Sequence, residues 1–290
     1  MEEENRDQPR GHSSRQYNLL VFVNVVAFCF NVVITFLPSG VIGKSNEEVS
    51  NQYETIITPA GWAFGPIWAI IFILEAAFVI WQCLPTARGN PWILGIGFWF
   101  AAACILQGCW GIAFAAEKIV ASAVLLLGIA ASLAFACSEL TKLRKSAEAP
   151  ELSWGRYVVV WLPLGLHGGW TLAAGLVNVS LAVYVEGASA QAQLVVAAVS
   201  LGIAAVGGLV ASRQMHAAYS LAVAWGLLAI GLNQATTRER LGEDTAQALE
   251  YTSVALAIVL ALAALFKPHP CGPAKADIDN RTLLTQAIPR

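Results

Sequence analysis

The residues able to do chemistry in this chain sit inside apolar surroundings, where each polar group needs a reason. Glu75 is the only acid set deep within an uncharged apolar run, and a carboxyl group at that depth must face a partner or a cavity, or stay protonated. It therefore reads either as a proton- or cation-coupling group or as a protonated acid hydrogen-bonded to a neighbouring helix. His167 follows Gly165-Leu166 and precedes Gly168-Gly169-Trp170, and at helical spacing it shares a face with Trp170, with Asn178 brought round within about 80°. Such a histidine is a hydrogen-bonded core residue, a metal ligand, a proton shuttle, or a contact for the edge of a flat ring. Gln107 and Trp110 lie one turn apart beside Gly108 and Gly111, a pattern that suits either close helix packing or the wall of a pocket. Trp62 and Trp68, six residues apart, are expected to diverge around their helix, with Trp62 suited to an interfacial belt and Trp68 lying deeper.

The elements that position these residues follow from composition. Of 290 residues, 57% are hydrophobic and 12% charged, where a soluble domain carries about 25% charged residues. The mean hydropathy is +0.62. Eight apolar runs have membrane-crossing length: 18–38, 62–83, 91–115, 119–138, 157–183, 190–211, 216–236 and 249–266. The first has no small-residue cleavage site and reads as a retained helix. Eight crossings place both termini on one side, and Lys and Arg then divide thirteen to four in favour of that side, which the positive-inside rule makes cytoplasmic. The expected fold is an all-α, multi-pass membrane protein, with the identity of the membrane open. A net charge of -2 without a basic block excludes a nucleic-acid binder.

Other function classes lose their local signatures. No lysine lies within an apolar run, which removes a Schiff-base retinal protein, and no Walker sequence, dinucleotide fingerprint or H-E-x-x-H appears. The six cysteines show no C-x-x-C and read as small core residues, so neither a disulfide nor a metal site follows. Asn178-Val-Ser180 and Asn280-Arg-Thr282 match the glycosylation pattern by chance, one being intramembrane and the other predicted cytoplasmic. Pro66 is expected to bend the first turns of its helix. Gly165/Gly169 and Ala204/Gly208/Ser212 form small-residue faces suited to helix packing.

The run Pro59-Ala60-Gly61-Trp62-Ala63-Phe64-Gly65-Pro66-Ile67-Trp68 resembles the signature that opens the second helix in the tryptophan-rich sensory protein or translocator protein (TspO/MBR) family. Leu106-Gln107-Gly108-Cys109-Trp110 with Phe114, and Trp170 through Asn178, are similar to that family's third- and fifth-helix motifs. Gln107 stands where the family has Asn, His167 where it has Tyr, and Leu166 where it has Pro. The chain is longer than five-helix members, resembling an eight-helix variant: residues 1–17 as a cytoplasmic tail, 18–183 as the five-helix membrane domain, 184–266 as three additional helices and 267–290 as a second cytoplasmic tail.

The resemblance implies a receptor or sensor that binds porphyrin, haem or sterol-like molecules in an aromatic pocket roofed by the first loop. No cofactor is required. Carried over by position, the pocket residues are Trp62, Phe64, Trp68, Gln107, Trp110, His167, Trp170 and Asn178, with His167 as a candidate axial ligand for a haem iron. Lys44, Glu47, Glu48 and Glu54 are candidates to gate entry. Membrane lipid and a hydrophobic small molecule are the expected partners, with a homodimer left open. Light-dependent porphyrin degradation occurs among relatives, but no nucleophile and base constellation appears in this sequence, and no catalytic residue is assigned. Two other readings stay open: a proton-coupled transporter using Glu75 and His167, and an accessory subunit that docks through its small-residue faces.

Overall fold

The computed structural model describes residues 10–37, 40–147, 149–266 and 270–272. The predicted tails at 1–9 and 273–290, with Arg6, Lys275, Asn280, Arg281 and Arg290, lie outside the described residues, as do Lys267 and Pro38. The described chain is all-α. Its elements are α1 (Arg10–Thr35), α2 (Asn46–Gln52), α3 (Phe64–Gln82) after a 3-10 turn (Gly61–Ala63), α4 (Pro91–Ile96), α5 (Trp99–Ala115) and α6 (Ile119–Lys145). There follow α7 (Trp154–Arg156), a π turn (Tyr157–Trp161), α8 (Leu162–Val185), α9 (Ala190–Arg213), α10 (Ala217–Gly231), α11 (Ala235–Leu241) and α12 (Glu243–Leu265).

Six helical segments are long and apolar enough to cross a bilayer, and α10 with α11 forms a seventh, bent by 52°. Helix α5 is shorter, yet it also joins the two ends of the bundle. The segments 40–63, 116–118, 186–189 and 232–242 gather at one end, where Lys44 meets Glu117, Thr236 meets Glu54 and Arg240 meets Tyr184. At the other end Tyr17 bonds the chain near Ala87, the Trp92 indole donates to the Glu151 carbonyl, and Arg144 donates to that of Pro270. Six of the eight predicted runs thus coincide with helices of crossing length and a seventh with the bent pair α10 and α11, while the run 91–115 holds the shorter α5. The described cations follow the same division: Lys44, Lys118, Arg238 and Arg240 lie at the first end and the remainder at the second.

Three local features differ from the sequence expectation. The run 91–115 breaks at Gly97, whose φ of +56 only glycine adopts without strain, so the chain turns between α4 and α5. Pro66 falls in the first turn of α3, where a missing N–H is tolerated, and so it helps to start the helix. The π turn just before Pro163 widens the backbone where the proline ring would otherwise meet a carbonyl of the preceding turn.

The bundle is arranged for lipid. Phe22, Ile73, Ile80, Val124, Val195 and Val206 point outward, while Asn24, Glu75, Gln107, His167, Ser220 and Ser253 are buried. Apolar burial gives little drive between helices in hydrocarbon, so packing relies on close backbone approach and internal hydrogen bonds. Gly165, Gly168 and Gly169 lie against Ala218 and Tyr219 and seat α8 on α10. Gly208 faces Leu260, and Ser212 donates to the Ala263 carbonyl, which joins α9 to α12. Gly108 receives the Phe30 ring of α1. Both predicted small-residue faces are therefore filled from within the chain. This removes the feature on which the accessory-subunit reading rested.

A Cβ at position 169 would lie 2.2 Å from the Tyr219 carbonyl oxygen, whereas one at position 202 meets nothing within 4 Å. Gly169→Ala is expected to lower the thermal midpoint in detergent by the equivalent of about 1–3 kcal/mol, with Gly202→Ala near wild type. Equal midpoints would contradict this packing of α8 on α10.

Candidate functional site

The polar centre is built from three helices. Glu75 of α3 and His167 of α8, both fully buried, meet with 2.7 Å between Glu75 Oε1 and His167 Nδ1. The second ring nitrogen, Nε2, lies 3.1 Å from Oε1 of Gln107 on α5. Both ring nitrogens therefore have a polar partner, and the contact with the imidazole supplies the hydrogen bonding that a carboxyl group needs when it is buried in an apolar medium. Thr171 donates to the His167 carbonyl at 2.8 Å and fixes that turn of α8. Glu75 thus has an imidazole partner, the group its depth demanded.

An aromatic layer covers this centre. The Trp68 ring lies edge-on to His167 at 5.6 Å, stacks with Trp110 at 6.4 Å and meets Trp170 edge-on at 6.3 Å. Phe64 adds an edge contact to Trp170 at 5.4 Å, and Phe114 stacks on Trp110. Edge-to-face and offset-stacked pairs at these separations are the favoured arrangements of aromatic rings. Above the layer is a cavity of about 590 Å³, within the range of small-molecule sites. Phe64, Trp68, Trp110 and Trp170 wall its depth, with Asn178, Gly226, Ile230 and Asn233 along its sides.

The first loop forms the mouth. Asn46, Glu47, Ser50, Tyr53 and Glu54 line the opening, so the cavity is entered from the end opposite Tyr17 and Arg144. Several bonds tie the loop down. Ala60 N–H donates to Ala229 O at 2.9 Å, Asn233 to Thr58 O at 3.0 Å, and Thr237 to Ile56 O at 3.0 Å. Glu117 takes Lys44 at 2.9 Å and the Tyr53 hydroxyl at 2.8 Å. Lys44 and Tyr53 together hold the Glu117 carboxyl below its usual range, while the same bond raises the Tyr53 hydroxyl. A depressed carboxylate contributes above its ordinary pKa and loses that contribution as pH falls through the folded value, so this tie outlasts ordinary acidification. Of the predicted gate residues, Glu47 and Glu54 line the mouth, Lys44 is engaged with Glu117, and Glu48 caps α2 through Ser45.

Five of the predicted pocket residues, Phe64, Trp68, Trp110, Trp170 and Asn178, line the cavity. Asn178 accepts from Ser122 at 2.6 Å and donates to the Ala174 carbonyl, which fixes its amide. Trp62 does not line it. That ring is 47% exposed and lies edge-on to Trp225 at 5.0 Å, because the 3-10 turn aims it away from Trp68. Gln107 and His167 sit behind the aromatic layer with Glu75. Both nitrogens of His167 are already bonded, so the ring does not fit the role of axial ligand to a haem iron. Among the described residues no group of three or more His, Cys, Asp or Glu could hold a metal ion.

Sequence reasoning missed the share taken by α10. Gly226, Ile230 and Asn233 complete one wall, and the Trp225 indole donates to Ala63 O at 3.0 Å, holding the entry turn of α3. The signal available was Asn233, an amide within the apolar run 216–236, which does not identify a cavity. It also missed Glu117, which occupies the left-handed region at φ 55 in the tight link from α5 to α6 and from there anchors the loop.

Comparison with known families gives one match: the family described as TSPO-like protein, over residues 18–266. The matched stretch runs without a break from the first span through α12. No curated protein and no solved structure matches the chain.

The Glu75–His167 pair is open to a double-mutant cycle. Glu75→Leu and His167→Leu are each expected to cost about 3–5 kcal/mol, since each strands a buried polar partner, whereas the double substitution should cost clearly less than the sum. Thermal denaturation in detergent reads the cycle. Additive losses would mean that the two side chains do not interact.

Proposed function

The chain belongs to the TSPO-like protein family, and from that premise we propose that it is a multi-pass membrane receptor or sensor binding a flat hydrophobic molecule of tetrapyrrole or sterol-like shape. The observation that carries this reading is the 590 Å³ cavity, walled in its depth by Phe64, Trp68, Trp110 and Trp170 and open at one end of the bundle. Flat apolar bodies bind in such clefts through ring faces and edges, with a few polar groups fixing orientation. Asn178 and Asn233 are placed for that second task. Among the described residues the lining has no His, Cys or Met, and the Tyr53 hydroxyl at the mouth donates to Glu117, so the reading is of binding to the ring system and not of ligation to an iron. No catalytic step is assigned.

A second reading, proton-coupled transport, draws on the 2.7 Å contact between Glu75 and His167. It requires the pair to exchange protons with water through the aromatic layer, and that layer separates the pair from the cavity. Receptor binding needs no such opening and is the reading we adopt.

Titration of the protein in nanodiscs with a metal-free porphyrin dimethyl ester, followed by tryptophan fluorescence, tests the proposal. Saturable quenching is expected, weakened by about tenfold or more in Trp68→Ala and Trp170→Ala and little changed in Trp62→Ala. Quenching equal to that of empty-disc and unrelated membrane-protein controls would remove the proposal. In proteoliposomes, proton-dependent uptake that disappears in Glu75→Gln would favour transport instead.

A further inference from the structure

The charge around the cavity points to the polar end of its ligand, an inference that rests on the reading just given. Two charged residues, Glu47 and Glu54, line the cavity, and both are acidic and at the mouth. Among the described residues no Lys, Arg or His lines it. Three of the four cations at this end are engaged elsewhere: Lys44 with Glu117, Arg238 with Glu243, and Arg240 over the Tyr184 ring at 4.6 Å. Segments 40–63, 116–118, 186–189 and 232–242, which make up this end of the bundle, carry six acidic residues against the four cations Lys44, Lys118, Arg238 and Arg240. The mouth therefore opens on a negatively charged face, and a cleft with low-dielectric walls focuses such a field.

The interior complements it. Three indoles and the rings of Phe64 and Phe114 wall the cavity, and the faces of such rings attract a cation. The side-chain amides of Asn46, Asn51, Asn178 and Asn233 also line it, and they can accept from an ammonium donor. A carboxylate-bearing ligand would meet the exposed carboxylates of Glu47 and Glu54 with no cation among the described lining residues to pair with, and such a like-charge juxtaposition disfavours it.

We propose that the cavity takes an amphiphile with a flat apolar body and a cationic polar end, the body against Trp68, Trp110 and Trp170 and the cation toward Glu47 and Glu54, and that it discriminates against carboxylate-bearing ring systems. The aromatic body supplies affinity and the mouth supplies the sign of charge. Unmodified porphyrins, whose side arms are carboxylates, are on this account poor ligands, and esterified or cationic ones are good.

Three pyrene probes test this, carrying on the same short arm a trimethylammonium group, a methyl ester or a carboxylate. Each is titrated into the full chain in zwitterionic nanodiscs, with empty discs subtracted for partitioning. The ammonium probe is expected to bind about tenfold more tightly than the carboxylate, with the ester between them, and added salt should weaken the ammonium probe selectively. Glu47→Gln/Glu54→Gln should bring the three affinities within about threefold of one another, with a thermal midpoint in detergent equal to that of the wild type reporting an intact fold. Carboxylate binding equal to or tighter than ammonium binding would overturn the inference, as would an unchanged order in the double variant. Ester binding without any charge preference removes this inference and leaves the receptor reading standing; absence of saturable binding by all three probes removes both.

Discussion

A carboxyl group held in the middle of a membrane bundle is the constraint around which this structure is arranged. On insertion scales an ionisable acid at the helix centre costs about 2.5–3.5 kcal/mol. Glu75 meets that cost through His167, and His167 in turn through Gln107, so three helices separated by long stretches of chain converge on one hydrogen-bonded line. Trp68 lies edge-on to the imidazole, and Trp110 and Trp170 are placed against Trp68. The aromatic floor of the cavity is thus set by a polar contact beneath it. Of the three residues that depart from the TspO/MBR pattern, Gln107 and His167 are partners in that contact, while Leu166 takes no part in it.

The rest of the cavity depends on how closely α10 approaches. Gly165, Gly168 and Gly169 let α10 pack against α8 at backbone distance, and from there Gly226, Ile230 and Asn233 reach the cavity wall. The same helix holds the first loop through Ala229 and the start of α3 through Trp225, and Asn233, just past its end, adds a second bond to the loop. The site is consequently a property of the segments 18–183 and 184–266 together, in keeping with a family match that extends to residue 266.

Much of this could be read from residue types and spacing. Apolar run length located the spans, and the sorting of Lys and Arg by end agreed with their alternation. The divergence of Trp62 from Trp68 followed from helical rotation, and the grouping of Trp170 with Asn178 from the same arithmetic. What could not be read was who meets whom. Glu75 and His167 are 92 residues apart, and no periodicity connects them. The break at Gly97 was hidden inside an uninterrupted apolar run, since hydropathy registers burial and is blind to a positive φ. Glycine faces show that some helix comes close without naming it, so Gly165/Gly169 and Ala204/Gly208 suited an external partner as well as the internal helices that fill them. Trp62 was drawn into the predicted pocket by its place in a motif, while the 3-10 turn that carries it points the ring at Trp225.

The central claim is that a flat ligand lies above the Trp68 layer, between α3, α5, α8 and α10. Photoaffinity labelling with a diazirine-bearing pyrene ester, followed by peptide mapping, tests it most directly. Label confined to the segments 46–68, 110–114, 170–181 and 226–233, and competed away by unlabelled ester, is the predicted result. Label concentrated on the outward-facing positions of the bundle, such as Ile73, Ile80 and Val124, and insensitive to competitor would contradict it.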